Sequence, residues 1–423
     1  MIYVVTENIN MPVLPLGLAY VAASLEAKGH EVEQIYLRPE ETANLLHKIT
    51  ASFRPEAIGI SLRNIDDQKL ENTTLLLDPV RKAVRICKEF SNAPVILGGA
   101  GYSMFPESAL SYLGADMGVK GEGEISFPLL LETLAGKEAG PVPGLCLAGK
   151  SLIKEEFNSG LDKLPLPIPD IHLKNHPGIS RDALWMPFQT RRGCPMGCNY
   201  CSTSIIEGKM LRRFSPDRAI EALSRFVDAG YKQFFFVDNT FNMPPSYAND
   251  LCEGIIGAGL DIRFQAIFYP SFNPAKKGEE LIEKMARAGC VHVSLGFESG
   301  SPDILSLMKK KFSPEEVRQV SGLLKKHGIK RMGFLMLGGP GETSETARKS
   351  LEFADSLALE AMKVTTGIRI YPGTELARRA LEEGMITPRD DLLFPRFYLR
   401  EELRGWLQVE VKRYMSARPN WTD

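Results

Sequence analysis

The chain has 423 residues, 51 basic and 52 acidic side chains and a net charge of −1. That balance indicates no nucleic-acid or anionic-membrane partner, and 44% hydrophobic with 24% charged residues is the composition of a globular protein of two or three domains. No apolar run reaches the roughly 20 residues of a membrane span, and the chain opens on Ile2-Tyr3-Val4-Val5 with no basic leader, so a cytoplasmic protein is expected.

Residues 1–145 alternate strand and helix. The apolar run 2–6 reads as a strand, and 16–27 has a helical period that stops at Gly29. β-rich runs follow at 31–37, 57–62, 94–97 and 116–120, separated by helical stretches of which 75–90 is the clearest. This rhythm predicts an α/β, doubly wound, Rossmann-like parallel sheet with its ligand crevice at the strand C-terminal ends. A distinctive loop follows each strand: 7–17, Ser61-Leu62-Arg63-Asn64, Gly98-Gly99-Ala100-Gly101 and Gly121-Glu122-Gly123-Glu124. Their glycines let backbone come close to a ligand. Residues 146–183 read as a connector, with a small hairpin at 145–157 and a stiff extended spacer at Leu164-Pro165-Leu166-Pro167-Ile168-Pro169.

Alternation resumes over 184–385, with strand candidates at 185–190, 233–238, 262–269, 291–297, 331–337 and 364–370. Repeats of roughly 30 residues predict a partial (β/α)6 barrel with its site at the strand C-termini. Residues 386–423 form a short C-terminal extension with a short strand and a helix at 400–415. The cysteine-bearing loop Gly193-Cys194-Pro195-Met196-Gly197-Cys198-Asn199-Tyr200-Cys201 follows the first barrel strand. Three thiolates at CxxxCxxC spacing hold three irons of a 4Fe-4S cluster and leave the fourth open for chemistry. The other reading is three buried thiols in a loop made by Gly193, Pro195 and Gly197. Cys87, Cys146, Cys252 and Cys290 are dispersed and read as small buried hydrophobes. A reducing compartment fits, and an oxygen-labile cluster favours an anaerobe.

The cysteine loop, together with motifs at later strand ends, resembles the radical S-adenosylmethionine (SAM) enzymes. The resemblance implies that Tyr200 packs near adenine and that Gly296-Phe297-Glu298-Ser299-Gly300-Ser301 meets the ribose through Glu298 and Ser299. It also makes Gly338-Gly339-Pro340-Gly341-Glu342-Thr343 the glycine-rich SAM contact, and puts Tyr371-Pro372-Gly373-Thr374 where backbone meets adenine. Glu298 also reads as a first-turn helix acid, and the glycines as a tight turn. Asp238 and Asn239 are expected to touch SAM or cobalamin, against plain strand capping. Tyr269 and Tyr371 read as substrate-side phenols or as packing.

The first domain resembles the cobalamin-binding domain of the B12-dependent radical SAM family. Carried onto this chain, the resemblance implies cobalamin contacts from Glu7, Asn8, Leu16, Gly17, Ser61, Arg63, Asn64, Gly98, Gly99, Ala100, Gly101, Gly121, Glu122 and Gly123. Residues 6–17 contain no His, and Asp170-Ile171-His172 lacks the glycine of Asp-x-His-x-x-Gly, so cobalamin is expected base-off with no histidine ligand. A dinucleotide site is the competing reading, but no G-x-G-x-x-G follows the first strand.

The resemblance further implies a methyltransferase. The reduced cluster splits SAM, a 5′-deoxyadenosyl radical takes hydrogen from an unactivated carbon, and methylcobalamin supplies the methyl. Oxidation or cyclisation without methyl transfer is the alternative. A low-potential donor, ferredoxin or flavodoxin, is implied as partner. The compact plan is similar to that of archaeal methylases acting on a glutamine of methyl-coenzyme M reductase, which implies a protein side chain as substrate. Lipid, hopanoid and antibiotic intermediates compete. Phe394, Phe397, Tyr398 and Trp406 either line an apolar substrate site or close the barrel.

Overall fold

Short, almost wholly apolar strands such as Ile-Gly-Ile and Val-Ile-Leu need cover on both faces, which a parallel sheet between helices supplies. In the computed structural model, which describes residues 1–4, 15–37, 53–169, 181–271 and 276–423, six strands build the first sheet. They are β1 (Ile2–Val4), β2 (Ile35–Leu37), β3 (Ile58–Ser61), β4 (Val95–Gly98), β5 (Met117–Val119) and β6 (Leu145–Leu147), in the order β2-β1-β3-β4-β5-β6. The first five are parallel, and β6 closes the edge antiparallel to β5. Val95 and Leu97 pack against helices Leu77–Phe90 and Pro106–Leu113, whereas Ile96 between them packs with helix Gly123–Leu134 on the opposite face. The sheet is therefore doubly wound as predicted, and its switch point lies between β1 and β3.

Helix Leu16–Glu26 is apolar on nearly all sides, the pattern of a helix with no solvent face. Leu18 and Tyr20 belong to the core of the second half, Tyr20 stacking on Phe214 at 6.2 Å, while Leu25 joins the first sheet. The segment after β5 is the expected hairpin, in which Ile153 N donates to Leu145 O at 3.0 Å.

The second sheet comprises β7 (Trp185–Phe188), β10 (Gln233–Phe236), β11 (Arg263–Phe268), β12 (Cys290–Glu298), β13 (Lys330–Leu337), β14 (Ala361–Thr366) and β17 (Trp421–Thr422). All are parallel, in the order β17-β14-β13-β12-β11-β10-β7. Between β7 and β10 runs a hairpin, β8 (Arg191–Arg192) with β9 (Arg212–Arg213); after β14 come β15 (Ile368–Arg369) and β16 (Phe397–Tyr398), also paired antiparallel. The six predicted barrel strands are present, with two changes. The last ends at Thr366 because Gly367, at φ 75°, turns the chain into β15. The tail, after the predicted helix (Glu401–Ser416), adds β17 to the sheet edge.

Along the barrel strands the side chains alternate. Phe234, Phe236, Phe264 and Phe268 are buried against the outer helices, and Phe236 meets Phe264 edge-on at 4.9 Å. Phe235, Gln265, Ile267 and Phe334 occupy the other register and are half-buried. Trp406 packs on the barrel core, Tyr398 is buried and Phe394 is exposed, so the tail aromatics mainly close the fold.

Candidate active site

The cysteine loop is pinned at its root. β8 and β9 close its base, Gly193 N donates to Glu207 Oε2 at 3.0 Å, and Cys194 N donates to Gly208 O at 3.1 Å. Gly193 has φ 85°, and a Cβ there would lie 2.2 Å from Met210 O, so only glycine fits. Farther along, Asn199 donates through Nδ2 to Leu307 O at 2.7 Å, and its carbonyl accepts from Leu376 N at 2.9 Å. That staple fixes the loop to the ends of two barrel helices.

Cys194, Cys198 and Cys201 are half-buried. Burial pushes the Cys194 and Cys198 thiols up, and the neighbouring Cys201 adds to both; Cys198 and Cys201 line one cavity. Among the described residues no three His, Cys, Asp or Glu side chains converge on a single ion. A donor set of three separated thiolates fits a cluster, in which each sulfur serves a different iron.

Around this loop the predicted SAM residues divide. Tyr200 lies beneath Lys310, whose Nζ is 5.5 Å from the ring centroid and 3.2 Å from Glu298 Oε1. The Lys310 and Glu298 side chains are 7% and 10% exposed. Burial alone would lower the ammonium; Glu298, then Tyr200 and Cys198, instead hold it well above the usual lysine value. Glu298 adopts φ 62°, a conformation rare outside glycine, at the end of β12. Gly338 N donates to Glu342 Oε2 at 2.7 Å, and a Cβ on Gly338 would lie 2.4 Å from Leu399 Cδ1. Gly339 follows it, buried. Pro372 lines an open cavity of about 680 Å³ with Cys198 and Cys201.

Two of the expected contacts are turned into the protein. Asp238 is wholly buried, and its carboxylate accepts from Thr190 N, Thr190 Oγ1, Arg191 N and Arg191 Nε at 2.6–3.2 Å, which leaves it turned into the hairpin base. Ser299 is also fully buried, with Oγ 2.8 Å from Ser350 Oγ and accepting from Ser301 N at 3.1 Å, so it braces the strand end. Asn239 does face the cysteine loop: its Nδ2 donates to Glu207 Oε2 at 2.7 Å. Tyr269 accepts from Lys311 N at 3.0 Å and packs on Phe312.

A second cavity, of about 370 Å³, lies between the two sheets. Leu16, Gly17, Ser61, Arg63, Gly98, Gly99, Ala100, Gly121, Glu122 and Gly123 line one side; Pro187, Gln189, Arg192, Glu207, Phe235 and Val237 line the other. No histidine is among its described lining residues. Gly99, at φ 97°, would bring a Cβ within 2.7 Å of Leu62 O, so its bareness lets the loops after β3 and β4 close on each other. Gly101 serves the same contact against Arg63 O and is off the cavity wall, as is Asn64. Glu7, Asn8 and His172 lie outside the described residues. The small residues at the β1/β3 switch point form a cradle that suits a large planar ligand.

The Radical SAM superfamily matches residues 189–354, and the B12 binding domain family matches residues 2–131. An uncharacterized methyltransferase of Pyrococcus horikoshii is 30% identical over 384 residues, spanning 88% of this chain and 79% of its own length. The chain belongs to the cobalamin-dependent radical SAM methyltransferases. The cytidylyl-2-hydroxyethylphosphonate methyltransferase of Streptomyces wedmorensis is 26% identical over 89% of this chain and 80% of its own. The fold is also that of the radical SAM methyltransferase TsrM from Kitasatospora setae, at TM-score 0.85 and 20% identity over 98% of this chain and 88% of TsrM. As a member of this family the chain is an enzyme that uses a 4Fe-4S cluster, SAM and cobalamin and needs a reductant. No helix among the described residues is long and apolar enough to cross a membrane.

Sequence reasoning missed Lys310, Gln189, Arg192 and Glu207. Lys310 sits in a run of three lysines that looks like solvated charge, and the other three become site residues only when the first sheet folds over the hairpin.

Proposed function

We propose that this enzyme methylates an unactivated carbon. Cys194, Cys198 and Cys201 hold the cluster. Tyr200, Asn239, Glu298, Gly338, Gly339 and Pro372 surround SAM. The inter-domain cavity holds cobalamin base-off and without a histidine ligand. One observation carries the assignment: Gln189, Arg192 and Glu207, which belong to the cysteine hairpin or flank it, also form a wall of the cavity whose opposite wall is Gly98–Ala100. Two cofactors held in these places meet across a single space. When bound, the cluster supplies an electron for SAM cleavage and cobalamin supplies the methyl group.

The side chains do the rest by placement. An aliphatic C–H bond is too weak an acid for any side-chain base, so Glu207 and Glu298 orient rather than deprotonate. Lys310, held charged beside Glu298, offers an anion contact next to Tyr200. Pro187, Phe235 and Val237 give the cavity an apolar barrel-side wall that keeps water from the reacting carbon. Such a wall suits a substrate whose reacting end is uncharged, a condition that a protein glutamine side chain and a lipid both meet.

The test needs no substrate. Protein reconstituted with iron, sulfide and hydroxocobalamin is given SAM and dithionite, and the nucleoside products are separated. S-adenosylhomocysteine should appear only with cobalamin present, and slow 5′-deoxyadenosine release should vanish in Cys194→Ala. Release of 5′-deoxyadenosine with no cobalamin-dependent S-adenosylhomocysteine overturns methyl transfer and leaves a non-methylating radical enzyme.

A further inference from the structure

The cavity and the cysteine loop are joined by a line of polar contacts that cofactor binding alone does not require. Glu124 accepts from Arg192 Nη2 at 2.6 Å, and Glu122 lies 3.2 Å from Arg192 and 2.5 Å from Arg212. Arg192 and Arg212 pair across the base of the cysteine hairpin, and their side chains are 7% and 3% exposed. From Arg192 the line runs inward. Its Nε donates to Gln189 Oε1 at 3.2 Å, and Gln189 Nε2 donates to Glu207 Oε1 at 3.2 Å. Glu207 Oε2 then accepts from Gly193 N, immediately before the first cysteine, and from Asn239 Nδ2. Thr203 Oγ1 lies 3.4 Å from Asn239 Oδ1 and 3.3 Å from Cys201 Sγ. Buried ion pairs are often no more stabilising than apolar side chains of the same volume, so stability alone does not account for this line.

We propose that Glu124, Arg192, Gln189 and Glu207 are positioning residues that tie the cobalamin cavity to the cysteine loop, so that the cluster and cobalamin strengthen each other's binding. The inference rests on the cofactor assignment above. Residues 121–124 line the cavity, and their two carboxylates are fixed on the hairpin base. A ligand that orders this loop therefore orders Arg192, and through Gln189 and Glu207 the backbone at Gly193. Whichever cofactor arrives first has already ordered the tie for the second, and linkage makes the effect reciprocal.

Hydroxocobalamin is titrated by absorbance into the full chain with and without reconstituted cluster, and the EPR spectrum of the reduced cluster is recorded with and without cobalamin. Wild type should bind cobalamin about fivefold or more tightly once the cluster is in place, and the EPR signal should shift when cobalamin is added. In Arg192→Met that affinity ratio should fall to near one and the EPR shift should disappear. Gln189→Leu, which leaves all three ion pairs intact and so keeps the fold if Arg192→Met does not, should do the same, whereas Arg192→Lys should recover part of the ratio. A wild-type ratio near one, or a Gln189→Leu ratio equal to wild type, overturns the tie. Wild type that binds no cobalamin in either state overturns the cofactor assignment, and the tie with it.

Discussion

Asp238 lies two residues past the end of β10, where a ligand contact was expected, yet all of its acceptor capacity is used inside the protein. Four donors from Thr190 and Arg191 reach it. Arg191 is 1% exposed, lies 4.7 Å over the Tyr247 ring and donates to Met243 O, so Asp238 is the one carboxylate it pairs with among the described residues. Asp238→Asn would keep the shape and remove the charge, leaving a buried guanidinium uncompensated. The expected loss is about 3–5 kcal/mol of folding stability, read as a lower urea midpoint at unchanged slope. Because no part of the carboxylate is free for a ligand, the affinity for SAM, measured by equilibrium dialysis on the folded variant, should change less than about threefold, under 0.7 kcal/mol. A tenfold weaker SAM affinity would return Asp238 to the ligand set.

At the scale of elements, the loop after β13 is closed by its own acid. Glu342 reaches back to Gly338 N with one oxygen while the other finds no partner, and burial pushes its carboxyl up from 4.5 to about 7. Between those two values the unfolded chain has released this proton and the folded chain retains it, so the folded state binds more protons and stability falls as pH rises. The effect is complete above about 7 and absent below 4.5, with an upper limit of about 3 kcal/mol. Glu342→Gln keeps the acceptor for Gly338 N and cannot ionise. Its urea stability should match wild type near pH 5 and exceed it at pH 8; parallel pH profiles for the two proteins would rule the titration out. Elements of this kind were legible in the sequence as far as local chemistry dictates them. The apolar strands, the glycines at their ends and the CxxxCxxC loop all read correctly because periodicity and positive φ leave a local mark. The inward bonding of Asp238 and Ser299 was not legible, because a polar residue at a strand end looks the same whether it faces a ligand or a neighbouring loop. The turn at Gly367 was hidden by the apolar run on both sides of it, and Lys310 by the lysines that flank it. Arg192 and Glu124 are 68 positions apart, and nothing local announces such a pair.

At the scale of the whole molecule the two halves are not independent beads. Ile304, Met308, Ile368 and Ile370 of the second half share one apolar cluster with Ile58, Val95 and Leu110 of the first. Through that cluster passes an ion pair between residues 303 positions apart, Arg369 Nε to Asp66 Oδ2 at 2.9 Å, with side chains 2% and 1% exposed. Arg369 also donates to Ile370 O and Leu392 O and lies 5.2 Å over the Tyr371 ring, so it holds β15 and the strand end beside the cysteine loop against the first sheet. Asp66→Asn should therefore lower the melting temperature of the cofactor-free protein while calorimetry still gives one transition, because the shared core makes the halves melt together. Two separated transitions in wild type would show the cluster to be a weak contact between autonomous domains. The pair itself can be weighed by a double substitution. Removing one partner strands a buried charge, at about 3–5 kcal/mol, whereas replacing both with apolar side chains is often close to neutral. Asp66→Leu with Arg369→Met should thus be more stable than either single variant. If the double variant is instead as unstable as the sum of the two, the contribution of Arg369 lies in its carbonyl and ring contacts rather than in its charge.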